Sequence, residues 1–336
     1  MNILVLKWGA PGDILASTPA IRLLRNYYKN DTIIWLTSAV AHEFVDEGDL
    51  VDLLLDQYAL RKQKGVIGLI RYLRSFQFDM VFNLKWSSES ADFISLICGA
   101  KVKIGGSEKR YFRGIYKYLP APVFDSFNRH EYLKNIDIVE AIPDLQHEDV
   151  DGYLYIQKAS KAFADNVYEE LKNTHVAILS PGASTLNKAW PKDRYIELAK
   201  KLIEHYGIKF LITYSPDDYD YSKMIADEIG AGAVLAPKTS INEVAALVSR
   251  AKFVLCNNSG IMHIAYALKI PVICFNTSIG WRPFGINDIS IERIPEDLED
   301  NRSLRSDQVK LLLEEISVSE AFEAVKPLFN KFSIQQ

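Results

Sequence analysis

Phe253-Val254-Leu255-Cys256-Asn257-Asn258-Ser259-Gly260-Ile261-Met262-His263 is the stretch whose reading decides the fold. The apolar run from Phe253 to Cys256 has strand length, and helical spacing takes over by Met262 and continues to Leu268. A strand that ends in small polar residues and passes straight into a helix leaves the N–H groups of the first helical turn without partners. Together with the positive end of the helix dipole, they suit an anion such as a pyrophosphate. Gly260 lets the backbone approach a ligand, Ser259 and Asn258 are N-cap candidates, and His263 lies four residues after Ser259 on the same side of the first turn. Taken alone, the stretch is equally an ordinary strand-to-helix turn.

The same rhythm extends in both directions. In the first half, strand-like runs at 3–6, 32–36, 51–55 and 80–84 alternate with helical spacing at 14–28, 39–47, 66–76 and 91–98. In the second half, strands at 176–179, 209–213, 233–235, 253–256 and 272–275 alternate with helices at 193–205, 221–229, 241–249 and 262–268. Alternation of this kind predicts an α/β protein with two doubly wound parallel sheets. The expected domains are 1–155 and 156–318, with the boundary between Pro143 and Ala159, followed by a helical tail at 319–336 that contains Pro327 and packs back on the first domain. Two such domains facing a cleft would line it with the carboxyl ends of their strands, where ligands bind in this architecture.

Composition narrows the function. The chain has 336 residues, 48% of them hydrophobic, and a formal net charge of −4, so general nucleic-acid binding is disfavoured. Cys98, Cys256 and Cys274 lie in or beside apolar runs, without metal spacing, and fit a reducing compartment. No apolar run approaches the roughly 18 residues that span a bilayer. The expectation is a cytoplasmic protein whose membrane contact, if any, is peripheral. The loop after the first strand, Gly9-Ala10-Pro11-Gly12-Asp13, lacks the dinucleotide fingerprint, and no Walker loop is present, which disfavours a nicotinamide enzyme.

Three further segments carry candidate chemistry. Asp13 opens the first helix, where it is either a first-turn carboxylate complementing the dipole or a catalytic one. Pro19 implies an irregular start to that helix. The loop Ser180-Pro181-Gly182-Ala183-Ser184-Thr185-Leu186-Asn187-Lys188-Ala189-Trp190-Pro191 can wrap a phosphate, with Ser184 and Thr185 as donors and Lys188 as a point charge, although Lys188 alone is also an ordinary solvated lysine. The stretch 101–118 sets Lys101, Lys103, Lys109, Arg110, Arg113 and Lys117 among Tyr111, Phe112, Tyr116 and Tyr118. It reads either as a solvated basic face or as a loop for an anionic glycolipid at a membrane surface. Asp149-Val150-Asp151 reads as a solvated turn rather than a metal-binding D-x-D.

In order and spacing, residues 7–22, 181–191 and 248–272 resemble the lipopolysaccharide heptosyltransferases of glycosyltransferase family 9. The matching motifs are Gly12-Asp13 with Thr18-Pro19-Ala20, then Pro181-Gly182-Ala183-Ser184 with Lys188 and Trp190-Pro191, then Ser259-Gly260 with Met262-His263. The resemblance implies a GT-B fold and inverting transfer of a heptose or related sugar from an ADP-sugar to a lipopolysaccharide core or similar glycan. It implies no metal and no cofactor beyond the nucleotide-sugar substrate. By that resemblance Asp13 is the general base. Ser184, Thr185, Lys188, Asn258, Ser259, Gly260 and His263 are donor-side residues, and Asp217 stands near a family glutamate that contacts the nucleotide. Gly12, Lys101, Lys103, Arg110 and Arg113 are acceptor-side candidates. Two positions depart from the pattern: Asn258 replaces the usual Asp, and Asn276-Thr277-Ser278 replaces Gly-Pro-Thr. Rival readings are a sugar-nucleotide-binding protein without transfer activity, which Asn258 would mark, and a sugar-nucleotide epimerase of the same fold.

Overall fold

The computed structural model describes residues 1–118, 129–143, 145, 151–172, 175–295 and 304–331, with the side chains of 330 and 331 excepted. The chain divides into two compact units, Met1–Tyr155 and Ile156–Gln336. Asp149 and Val150 lie outside the described residues, so no structure bears on the D-x-D reading.

In the first unit, β1 (Asn2–Leu6) leads to α1 (Pro11–Tyr27), β2 (Thr32–Thr37), β3 (Leu53–Asp56), α2 (Gln57–Ser75), β4 (Met80–Asn83), α3 (Glu89–Ile97) and β5 (Val102–Gly105). Two more helices follow, α4 (Arg110–Arg113) and α5 (Glu131–Glu140). The five strands are all parallel in the order β3-β2-β1-β4-β5. The central strands are buried on both faces, which is why they read as continuous apolar runs.

The second unit opens with α6 (Lys158–Leu171) and alternates β6 (Val176–Ser180), α7 (Lys192–Tyr206), β7 (Lys209–Ile212), α8 (Tyr219–Ile229) and β8 (Ala233–Leu235). It continues with α9 (Ile241–Val248), β9 (Val254–Asn257), α10 (Gly260–Ala267), β10 (Val272–Asn276) and β11 (Ile289–Glu292). Two helices close it, α11 (Ser306–Glu314) and α12 (Val318–Lys331). Its six parallel strands run β11-β10-β9-β6-β7-β8. In each sheet the strand order reverses beside the unit's first strand, between β1 and β4 and between β6 and β9. Those reversals are the switch points at which such sheets hold ligands.

Several elements differ from the sequence reading. The stretch 101–118, read as a basic loop, contains β5 and the short helix α4. The helix expected at 39–47 is a single 3-10 turn, Ala39–Glu43. The strand β11 and the helices α5, α6 and α11 carried no recognised signal. Helix α12 packs on α7 and β11 of the second unit. It contributes Ala321, Val325, Leu328 and Phe329 to that unit's core, beside Phe253 and Leu202. Phe329 stacks on Tyr206 with ring centroids 4.0 Å apart.

Pro19 sits inside α1 without ending it. A proline there removes the hydrogen bond to the carbonyl four residues earlier, that of Leu15. The Thr18 hydroxyl donates to that Leu15 carbonyl at 2.8 Å, and Asn135 Nδ2 donates to the Ala16 carbonyl at 2.9 Å. The helix therefore starts at Pro11 and runs through Pro19, where an irregular start was expected.

Candidate functional site

At the first unit's switch point, the loop after β1 brings Asp13 to the first turn of α1, and the loop after β4 brings Lys85. Lys85 Nζ lies 3.0 Å from Asp13 Oδ1, and the two side chains are 21% and 23% exposed. The backbone N–H of Ala10 donates to Asp13 Oδ2 at 3.3 Å. Gly9 permits this folded-back carboxylate: with φ at +151°, a Cβ there would stand 2.5 Å from Asp13 Oδ2.

Below the pair lies a second cation, Lys7, which is 1% exposed. Its ammonium donates to Glu131 Oε1 at 2.8 Å, to the Leu84 carbonyl at 3.3 Å and to Asn135 Oδ1 at 3.4 Å. A buried ammonium persists only with such partners. Burial acts to raise the Asp13 pKa, but the charges of Lys7 and Lys85 with the hydrogen bonds from Lys85 and Ala10 prevail and hold it below the ordinary carboxylate value. Asp13 is thus a carboxylate kept ionised at the carboxyl end of a central strand. Lys7, Lys85 and Glu131 escaped the sequence reading because each stands in an ordinary context, and Glu131 is 124 residues from Lys7.

At the second unit's switch point lies a pocket of about 590 Å³. It is lined after β6 by Ser180 and by Gly182 to Leu186, and after β7 by Thr213 to Asp218. Thr239, Ser240, Ile241 and Val244 contribute from the start of α9, and Ser259, Gly260, Ile261 and Ile264 from the start of α10. The two helix starts differ. Ser240 caps α9 in full, accepting from Glu243 N–H while Glu243 accepts from Ser240 N–H. Ser259 stands at the N-cap of α10 in extended geometry, but its side chain makes no capping bond. The first-turn N–H groups of α10 consequently favour an anion beside Ser259 and Gly260.

The loop after β6 is held in shape by Asn257, a buried residue whose amide uses all its capacity. Its Oδ1 accepts from Trp190 N–H and from the Tyr195 hydroxyl, each at 2.9 Å, and its Nδ2 donates to the carbonyls of Pro181 at 2.8 Å and Gly182 at 3.2 Å. Trp190 is itself anchored, stacked on Phe275 at 3.9 Å with its indole N–H on the Ile316 carbonyl. Gly182 allows Asp218 to close the pocket wall, since a Cβ there would fall 1.5 Å from Asp218 Oδ2. Asp218 Oδ1 in turn accepts from the Ser215 hydroxyl at 2.7 Å.

A family profile for glycosyltransferase family 9 (heptosyltransferase) matches residues 66–280, more than half of the chain. The chain belongs to glycosyltransferase family 9. It is 25% identical over 284 residues to the lipopolysaccharide core heptosyltransferase OpsX of Haemophilus influenzae, covering 81% of this chain and 78% of that protein. It is 24% identical over 300 residues to lipopolysaccharide heptosyltransferase 3 of Escherichia coli K12, covering 83% and 84%. Among solved structures, the family 9 glycosyl transferase from Veillonella parvula superposes with a TM-score of 0.78 at 17% identity, covering 98% of this chain and 97% of that one. The E. coli heptosyltransferase WaaC with ADP-2-deoxy-2-fluoro heptose gives 0.64 at 18% identity, covering 94% and 99%. An iron-containing dodecameric glycosyltransferase, TibC from enterotoxigenic E. coli, gives 0.60 at 11% identity, covering 100% and 80%. These likenesses establish the GT-B fold for this family 9 chain, as the resemblance implied.

Of the residues singled out from the sequence, Ser184, Thr185, Asp217, Ser259 and Gly260 line the pocket. Lys188, Asn258 and His263 do not. Lys188 ends a 3-10 turn, exposed, three residues beyond Thr185. His263 is 4% exposed with its ring edge-on to Trp281. Asn258 Nδ2 donates to Asn276 Oδ1 at 2.8 Å. Gly12 is buried in the first turn of α1. The basic stretch is largely committed locally: Lys101 pairs with Asp79 at 2.6 Å, Lys103 Nζ donates to the Ala100 carbonyl at 2.9 Å, and Arg113 Nε donates to the Ser107 carbonyl at 3.1 Å. Arg110 is exposed. Among the described residues, no group of three or more His, Cys, Asp or Glu is placed to hold a metal ion, and no helix is long and apolar enough to cross a membrane.

Proposed function

We propose that this glycosyltransferase moves a heptose from ADP-heptose to a lipopolysaccharide core acceptor, with inversion at the anomeric carbon. The observation that carries the reading is the switch-point pocket with its uncapped α10 start, which offers a diphosphate fixed N–H groups and hydroxyls. Its volume of about 590 Å³ suits a nucleotide-sized ligand. The ADP-sugar bound by WaaC and the lipopolysaccharide acceptors named for the relatives support the same donor and acceptor.

In this mechanism Asp13, ionised and held by Lys85 and Ala10, takes the proton from the acceptor hydroxyl as that oxygen attacks the anomeric carbon. The bond from that carbon to the diphosphate breaks, and ADP leaves. The negative charge developing on the diphosphate is met by the N–H groups at Ser259-Gly260 and by the hydroxyls of Ser184 and Thr185. Lys188, exposed on the turn three residues beyond the pocket-lining Thr185, is the candidate cation for the phosphates. Fixed donors then do the work without a metal. Gly12 and the exposed Arg110 are acceptor-side candidates, and an acceptor at the cytoplasmic face of the inner membrane would be met by peripheral contact.

The test is transfer from ADP-heptose to purified core acceptor by the wild type and by Asp13→Asn. The variant should retain ADP affinity and lose at least about a hundredfold in turnover, the usual minimum for a general base. A variant that kept more than about a tenth of wild-type turnover would assign the base elsewhere.

A further inference from the structure

Lys85 reaches Asp13 from the loop after β4, and one buried residue sets the course of that loop. Asn83, the last residue of β4, is fully buried. Its Oδ1 accepts from Lys85 N–H at 3.0 Å, a turn closed by the side chain two residues back. Its Nδ2 donates to the Tyr116 hydroxyl at 2.6 Å, to Asp92 Oδ1 at 3.1 Å and to the Gly106 carbonyl at 3.4 Å. Asp92, 1% exposed on α3, also accepts from the Tyr116 hydroxyl at Oδ1 and from the Ser107 hydroxyl at Oδ2, each at 2.6 Å. The Asn83 amide cannot turn over without setting its oxygen against a carboxylate and a carbonyl, and its NH2 against the Lys85 N–H. Gly105, its partner on β5, leaves the space: with φ at +148°, a Cβ there would stand 2.8 Å from Asn83 Cβ. The peptide between Leu84 and Lys85 is therefore held at both ends. Asn83 takes its N–H, and the Lys7 ammonium donates to its carbonyl at 3.3 Å.

We propose that Asn83 is a positioning residue for Asp13, its side-chain oxygen fixing the Lys85 peptide so that the Lys85 ammonium rests on the Asp13 carboxylate. For its place in the reaction, the inference rests on the reading of Asp13 as the base. A lysine side chain gives up rotamer freedom when its ammonium is pinned, and a backbone already fixed confines that loss to the side chain. Two cations act on Asp13: Lys85, and Lys7, which is paired with Glu131 of α5. Of the two, Lys85 is the one whose backbone Asn83 holds.

The quantity to measure is the titration of Asp13 itself, followed by the carbon-13 shift of its carboxyl group in aspartate-labelled protein, with Asp13→Asn assigning the resonance. Asn83→Ala should move that titration upward by roughly 0.5–1 pH unit, the equivalent of one hydrogen bond, and the acidic limb of kcat/KM should follow it. Asn83→Ser differs from Asn83→Ala by one oxygen, which can close the same turn, so it should titrate nearer to wild type. In the Lys85→Met background Asn83→Ala should add nothing, because the residue through which it acts is gone. Asn83→Val, which refills the strand end with a strand-favouring side chain, replaces Asn83→Ala if that variant does not fold. The proposal is overturned by a titration that loss of the Asn83 amide does not move, by a shift equally large in the Lys85→Met background, or by serine and alanine variants that titrate alike. The carboxyl titration does not depend on transfer. If it follows the expected pattern while the acidic limb of kcat/KM stays in place, Asp13 is not the base, and the role of Asn83 toward Lys85 stands.

Discussion

Replacing Lys85 by methionine removes the cation on Asp13 while keeping most of the side chain's apolar stem. Two unit charges about 3 Å apart attract by roughly 5 kcal/mol at an effective dielectric constant near 20, before the desolvation of both groups is set against it. Net values for hydrogen bonds to charged groups run about 1.5–3 kcal/mol. Since each partner is about a fifth exposed, screening argues for the low end, about 1–2 kcal/mol. That is a factor of roughly 5–30 in the ionisation equilibrium of Asp13. The sign follows from the lowered pKa of Asp13. Its ionised form contributes stability above the unfolded carboxyl value, near 3.9, and that contribution is lost as pH falls through the lower native value. In Lys85→Met the acidic limb of kcat/KM should move up toward neutrality. The stability deficit of about 1–2 kcal/mol at neutral pH should shrink as acid protonates Asp13 in both proteins. The assays are a pH profile of heptosyl transfer and urea denaturation at about pH 7 and pH 3. Lys7 remains, so ionisation is weakened and not abolished. An acidic limb in the same place for both proteins, with turnover otherwise measurable, would refute the claim that Lys85 holds the base ionised.

Gly182→Ala should weaken ADP binding about tenfold or more, because the new methyl group displaces Asp218 from the pocket wall; calorimetry with an unchanged dissociation constant would show that the wall yields at no cost. Lys188→Ala should raise the ADP dissociation constant and lower turnover together, since a cation on the diphosphate acts in the ground state and more strongly as charge builds; if neither changes, its exposed position is its final one. Asn258→Asp should leave the fold intact and alter the choice among nucleotide sugars; a panel of sugar nucleotides that ranks alike for both proteins contradicts this. Prolonged treatment with a chelator should leave the wild-type rate unchanged, and a loss restored by iron or another metal would show that fixed donors are not sufficient.

The sequence by itself determined the two doubly wound sheets. Central parallel strands such as β1, β6 and β9 are buried on both faces, so they must be written as unbroken apolar runs, and the switch to helical spacing marks where each one ends. It also placed Asp13 in the first turn of α1 and Ser259-Gly260 at the start of α10, because a residue just beyond the carboxyl end of a central strand takes its place from the local turn alone. Edge elements were less legible. In β5, Val102-Lys103-Ile104-Gly105 alternates weakly within a cationic stretch, and in β11 Ile289-Ser290-Ile291-Glu292 is half exposed. Tertiary structure alone decided what surrounds the two switch points. Lys85 reaches Asp13 across 72 residues, Glu131 neutralises Lys7 across 124, and Asn276 meets Asn258 across 18. A lysine's spacing says that it is charged, but whether it ends in solvent or on a carboxylate depends on which strands lie side by side. That is set by the strand order of the whole sheet, a property of the folded chain that no local window of residues contains.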